Sequence, residues 1–203
     1  LVQDALQKAG IKTMRLDWAT KDFDWSMTQY ALFRTTWDYF DRFSEFSSWL
    51  HRMTKLTKLI NPASIIHWNI DKHYLQDLKD NGINITPTLF IEPGTKTTLG
   101  QLFSKTKWID AILKPAISGS ARHTYKLNAD NHREHESIFQ ELVYKEAMLL
   151  QAFQYDVLKN GERAFMLIDG RFAHAVLKIP KPGDLRVQDD HGGTVHHYSP
   201  SQN

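Results

Sequence analysis

Apolar residues fall at helical spacing at Phe43, Phe46, Trp49, Leu50 and Met53, which predicts an amphipathic helix entered at Asp41 as its cap. Upstream, LVQDALQKAG reads as a helix stopped by Gly10. Between the two, 12–16 and 30–33 read as short strands, the second ending at Arg34, so this part alternates helix and strand like an α/β unit. Asn61 and Pro62 predict a fresh helix start, with Asn as cap and Pro at the first helical position, and a domain boundary between 59 and 66. Asn69 then reads as the cap of NIDKHYLQDLKDNG, a helix stopped by Gly82. The pattern continues with a strand in ITPTLF, a loop at Pro93-Gly94, a short helix at 99–103 and strands at 109–114 and 123–127. A charged helix at 132–144, a strand at 147–153 and a hairpin, ERAFMLIDGRFAHAVLKIP, turned by Asp169-Gly170, complete it.

Composition narrows the class. A chain of 203 residues with 41% hydrophobic and 12% aromatic content can bury one large or two small cores. Having no cysteine, it excludes disulfides, thiolate metal sites and cysteine catalysis, and fits a reducing, cytoplasmic setting. No apolar run long enough for a membrane span and no signal-peptide pattern occurs. The 25 basic and 23 acidic residues are interspersed, so the net charge of +2 implies no broad face for nucleic acid. Any anion site is expected to be local. The chain opens at Leu1, inside a helix and without an initiator Met, and is expected to be a fragment.

The run LKPAISGSARHT carries the strongest candidate chemistry. An apolar strand ends on Lys114 and opens into Ser118, Gly119, Ser120 and Ala121, whose small side chains let backbone N–H groups approach phosphate oxygens. The spacing is not that of the P-loop motif. Lys72, expected at the third position of its helix, is a cation at the positive end of a helix dipole, which invites an anion; a surface lysine paired with Asp71 is the alternative. Lys178 and Arg186, with Pro and Gly between them, could converge on one anion or flank an ordinary turn. Arg34 and Asp38 follow a strand of the first unit, where open α/β sheets place ligands, and an Arg there suits a carboxylate; Phe40 reads as core. His132 with His135 reads as a solvated helix face rather than a zinc site, and no G-x-S-x-G elbow supports a serine hydrolase.

In their order along the chain, FRTTWDYF, LINPASIIHWNIDK, PTLF, LKPAISGSARHT, LLQAF and GERAFMLIDGRFAHAVLKIPKPGDLRVQDDHGG resemble an ATP-grasp ligase of the glutathione synthetase-like, O-ureido-serine cyclo-ligase-like group. The resemblance implies a partial pre-ATP-grasp α/β domain at 1–62, followed by a truncated ATP-grasp fold of two α+β subdomains at 63–146 and 147–203. It implies ATP between those subdomains, with Lys72 and Lys114 on the phosphates and the Ser118, Gly119, Ser120 loop closing over them. Backbone near Gln151 and Phe153 would meet adenine, and Asp156 the ribose. Glu162 and the catalytic pair Lys178 and Arg186 would border the triphosphate and an acyl phosphate, with Gln188 where the family often has Asn. Arg34 and Asp38 would face small-molecule carboxylate and amine substrates. No nucleic acid or membrane partner is implied, and homo-oligomerisation is left open.

The implied chemistry activates a carboxylate with the γ-phosphate of ATP and lets an amine displace the phosphate. The family's Mg²⁺ ligands come after the glycine pair Gly192-Gly193 and are expected beyond the end of this chain, so no metal ligand is assigned and the chain alone is expected to be inactive. A non-catalytic nucleotide-binding or assembly module on the same scaffold is the alternative.

Overall fold

The computed structural model describes residues 2–184, 186–187 and 192–201. The chain forms two compact units, one of residues 1–82 with 116–120, the other of 83–115 with 121–203.

The first unit holds helices α1 (Val2–Lys8), α2 (Phe43–Leu56), α3 (Ala63–Ile70) and α4 (Tyr74–Asp80), with strands β1 (Tyr30–Leu32) and β2 (Lys58–Ile60) paired in parallel. The apolar stripe of α2 buries Phe46, Trp49, Leu50 and Met53 against Trp18 and Leu59, as its spacing predicts. Most aromatic pairs in this core meet edge-on, Trp18 with Phe46 at 5.2 Å and Trp25 with Trp49 at 5.4 Å between centroids, the arrangement their quadrupoles favour.

Several local expectations fail here for identifiable reasons. Residues 12–16 are irregular, because among the described residues they find no strand to pair with. Asp41 is not the cap of α2; Arg42 occupies that position and its side chain makes no capping bond. Pro62, rather than Asn61, precedes the first residue of α3. Asn69 lies inside α3 and caps nothing. The helix stops instead at Asp71, whose carboxylate accepts from the His73 backbone N–H at 3.0 Å and lies 2.6 Å from the His73 ring, drawing the chain into a turn before α4. Lys72 therefore sits between two helices, not in the first turn of one.

The second unit contains β3 (Thr88–Ile91), α5 (Leu99–Thr106), β4 (Asp110–Pro115), β5 (Tyr125–Asn128), α6 (Glu136–Lys145), β6 (Met148–Ala152), α7 (Asp156–Asn160), β7 (Glu162–Ile168), β8 (Arg171–Ile179) and β9 (Thr194–Tyr198). The residues predicted as one helix from 132 begin as a 3-10 turn, His132–His135, before α6. An antiparallel sheet in the order β3-β6-β4-β5 buries Ile91, Ala111, Leu113, Leu127, Met148 and Leu150 with Leu99 and Leu102 of α5 and Phe139, Leu142 and Val143 of α6. A second sheet, β7-β8-β9, begins with the predicted hairpin, where Asp169 and Gly170 both take positive φ, as a type I′ turn requires. The parallel pair with its helices and the helix-backed antiparallel sheet give the expected combination of α/β and α+β architecture.

Candidate functional site

Strict alternation along β4 sends Ala111, Leu113 and Pro115 into the core and leaves Asp110, Ile112 and Lys114 on the opposite face. Directly across the ladder, Lys114 pairs with Leu149 and Ile112 with Gln151, and paired residues share a face. Lys114 and Gln151 thus lie diagonally on one surface of the sheet. The buried Gln151 side chain donates to the Thr88 hydroxyl at 2.8 Å, so its amide braces β3 to β6. Lys114 is partly buried, its ammonium makes no hydrogen bond or ion pair with any described residue, and burial holds that ammonium below its ordinary pKa. A bound anion would restore what burial removes.

At the far end of β6 the backbone is already engaged. The N–H groups of Ala152 and Phe153 donate to the carbonyls of Pro87 and Asp110 at 2.9 and 3.0 Å. Backbone donors for a base are therefore not available at these two positions; the apolar ring of Phe153 is. That ring stacks edge-on with Tyr155 at 5.0 Å and lies 4.3 Å beneath the Lys126 ammonium. Asp110 joins the group, pairing with Lys126 at 3.1 Å and accepting from the Tyr155 hydroxyl at 2.6 Å; that hydrogen bond, more than Lys126, lowers its pKa. Sequence reasoning missed Asp110, Lys126 and Tyr155, since no local period links positions on three separate segments. Asp156 begins α7 and accepts from the Asn160 side chain.

The loop after β4 has supports of its own. Lys72 donates its backbone N–H to the Ala116 carbonyl at 3.1 Å, and its ammonium to the carbonyls of Ala116 at 3.1 Å and Ser118 at 2.9 Å. Asp71 turns to His73 instead. A Cβ on Gly119 would lie 2.7 Å from Cε1 of Phe40, so an aromatic ring already demands glycine there. Ser120, Ala121 and His123 take φ of 49°, 57° and 47°, conformations that cost non-glycine residues about 1–3 kcal/mol each. Arg122, among them, grips Glu146 with two bonds of 2.9 and 2.8 Å.

Lys178 and Arg186 each carry a carboxylate partner of their own. Lys178 reaches Glu162, its cross-strand neighbour, at 3.1 Å, and Arg186 reaches Asp184 at 2.7 Å, which raises the guanidinium pKa. Asp38 accepts from the Trp18 indole at 2.7 Å and from Arg42 at 2.9 Å, and these bonds, the indole first, hold its carboxyl below the usual range. Arg34 is exposed. The Nδ1 atoms of His132 and His135 lie about one hydrogen bond from the backbone carbonyls of Ala129 and Asn131, at 3.0 and 3.1 Å. Gln188 lies outside the described residues.

Within the second unit, a partly buried cation thus shares one sheet face with a buried amide. Residues 83–202 match the family model of the prokaryotic glutathione synthetase ATP-grasp domain. The chain belongs to this ATP-grasp family. Ahead of the ATP-grasp segment, residues 1–61 match the model of the N-terminal domain of D-cycloserine synthetase DcsG. The cycloserine biosynthesis protein DcsG of Streptomyces lavendulae is 27% identical over 199 residues, which cover 95% of this chain and 64% of that protein. The chain thus spans a little under two thirds of the length of that relative. Among solved structures, D-cycloserine synthetase DcsG superposes with a TM-score of 0.86 at 23% identity, over 99% of this chain and 70% of its own. The ATP-grasp ligase PsnB, complexed with a minimal precursor, gives 0.54 at 18% identity, over 85% and 57%. At these identities the two structures bear on the fold alone.

Proposed function

We propose that this chain is the ATP-binding part of an ATP-dependent carboxylate–amine ligase that works through an acyl phosphate. Lys114 carries the proposal: a half-buried ammonium with no described partner, on a sheet face next to Gln151, is a standing demand for an anion. In this reading Lys72 and Lys114 bind phosphate oxygens, the Ser118, Gly119 and Ser120 loop covers them, Phe153 packs on the base and Asp156 holds the ribose. Lys178 and Arg186 neutralise the transferring phosphoryl group. Both have partly exposed ion pairs, worth little in water, so Glu162 and Asp184 can be exchanged for phosphate oxygens at small cost. Residues 1–62, 63–146 and 147–203 are taken as substrate domain and two ATP-grasp subdomains, and Arg34 and Asp38 as the groups that meet the carboxylate and amine.

The chemistry balances in two steps. A carboxylate oxygen attacks the γ-phosphorus and ADP leaves; the amine nitrogen then attacks the acyl carbon, phosphate leaves and the nitrogen loses a proton. The protein's part is positioning and charge neutralisation by Lys and Arg. Among the described residues no three His, Asp or Glu side chains gather to hold a metal, so Mg²⁺, which the family implies, is assigned no ligand and no step. A cytoplasmic setting belongs to the same proposal.

Thermal denaturation with ADP tests it. Ligand at about 100 times its Kd adds roughly 2.7 kcal/mol of stability. The melting temperature should rise with ADP for the unmodified chain and stay fixed for Lys114→Ala. No rise at millimolar ADP in the unmodified chain would remove the nucleotide reading.

A further inference from the structure

The loop that leaves β4 returns to β5 through Ser120, Ala121 and His123, all at positive φ, with Arg122 in their midst. Left-handed backbone without glycine persists only where the surroundings over-determine it. Around Arg122 they do. Its guanidinium donates Nη1–H to Oε2 and Nη2–H to Oε1 of Glu146, at 2.9 and 2.8 Å, and the two side chains are only 23% and 25% exposed. Glu146 is itself fixed, since its N–H donates to the Leu142 carbonyl at the end of α6, the helix that buries Phe139, Leu142 and Val143. On the loop side, the Thr124 N–H donates to the Ala121 carbonyl at 3.1 Å and the Thr124 hydroxyl to that of Arg122 at 3.3 Å.

We propose that the Arg122–Glu146 pair is a positioning device for the phosphate loop. It fixes the backbone at 121–124, where the loop returns toward β5, and so governs the grip on phosphate without touching the ligand. The inference rests on the nucleotide reading and goes beyond it, because it gives the loop's aim to a pair outside the expected binding set. A two-bond fork fixes orientation as well as distance, which a point charge does not.

The test compares the unmodified full chain with Glu146→Gln and Arg122→Lys, using ADP, inorganic tripolyphosphate and adenosine as probes. The pair predicts that both variants weaken ADP and tripolyphosphate by roughly tenfold or more, as small misplacements of binding groups do. Adenosine, which lacks phosphate, keeps its affinity. Trypsin cleavage after Arg122 is expected to speed up in Glu146→Gln, and the exchanged double variant Arg122→Glu with Glu146→Arg to regain part of the ADP affinity. Equal losses for ADP and adenosine would reduce the pair to a fold-stabilising role and overturn the proposal. So would ADP affinity that ignores both variants, while leaving the nucleotide reading intact. Absence of ADP binding by the unmodified chain would overturn both.

Discussion

The two sheets of the second unit are stabilised by different means. In β3-β6-β4-β5 the central strands bury nearly every side chain on the helix-facing side, and Leu113, Leu127, Met148 and Leu150 have no exposed surface. In β7-β8-β9 most side chains are exposed, Ala175 being its fully buried residue among those described, and its rings meet laterally, Phe165 with Phe172 at 6.3 Å and with Tyr198 at 6.2 Å. The first sheet is specified by what it buries, the second by its turns and its register. Removing volume should therefore break the first, and adding a methyl group at the right glycine should break the second.

The largest effect is expected from Phe139→Ala, which empties the space between α6 and the first sheet and should cost about 3–5 kcal/mol in urea denaturation. Phe165→Ala, at a ring 48% exposed, should cost under about 1 kcal/mol. Comparable losses would erase the contrast. Next comes Gly161→Ala. At φ +72° and ψ −177° this backbone is nearly exclusive to glycine, a Cβ there would lie 2.6 Å from the Lys178 carbonyl oxygen, and a loss of about 1–3 kcal/mol should appear in thermal melts. Gly170→Ala, in a type I′ turn with similar φ and open space, should cost less.

The smallest effect concerns Lys114. Burial lowers its pKa from the ordinary 10.5, so above its folded value the unfolded chain binds the proton more tightly. Stability should rise with pH between the folded value and 10.5. Urea midpoints of Lys114→Met should lack that rise, and a parallel pH profile for both proteins would show that the ammonium is not desolvated.

What could be read from sequence follows the same division. The stripe of α2 and the Asp169-Gly170 hairpin were legible because each is written within a few residues, in helical spacing or in turn chemistry. The strand expected at 12–16 was not, since a strand needs a partner that alternation does not supply. The helix expected from Asn69 is instead interrupted at Asp71, whose carboxylate takes up the His73 backbone N–H across the turn. In the candidate site, the Lys114 strand and its loop were visible, whereas Lys72 meets carbonyls 44 and 46 residues away and Arg122 meets a carboxylate 24 residues away. From sequence Gly119 reads only as one small residue of a phosphate cradle, and the Phe40 ring packed against it belongs to a distant segment.

The edge-on aromatic core around Trp18, Trp25 and Trp49 has an optical consequence. Of the six tryptophans, all but Trp108 lie in the first unit, and Trp18 donates its indole N–H to a carboxylate at 2.7 Å. Tryptophan emission is therefore weighted to that unit, whereas far-ultraviolet ellipticity sums over both. An unfolding curve followed at the two wavelengths would show whether the units melt together or in turn, with no label introduced.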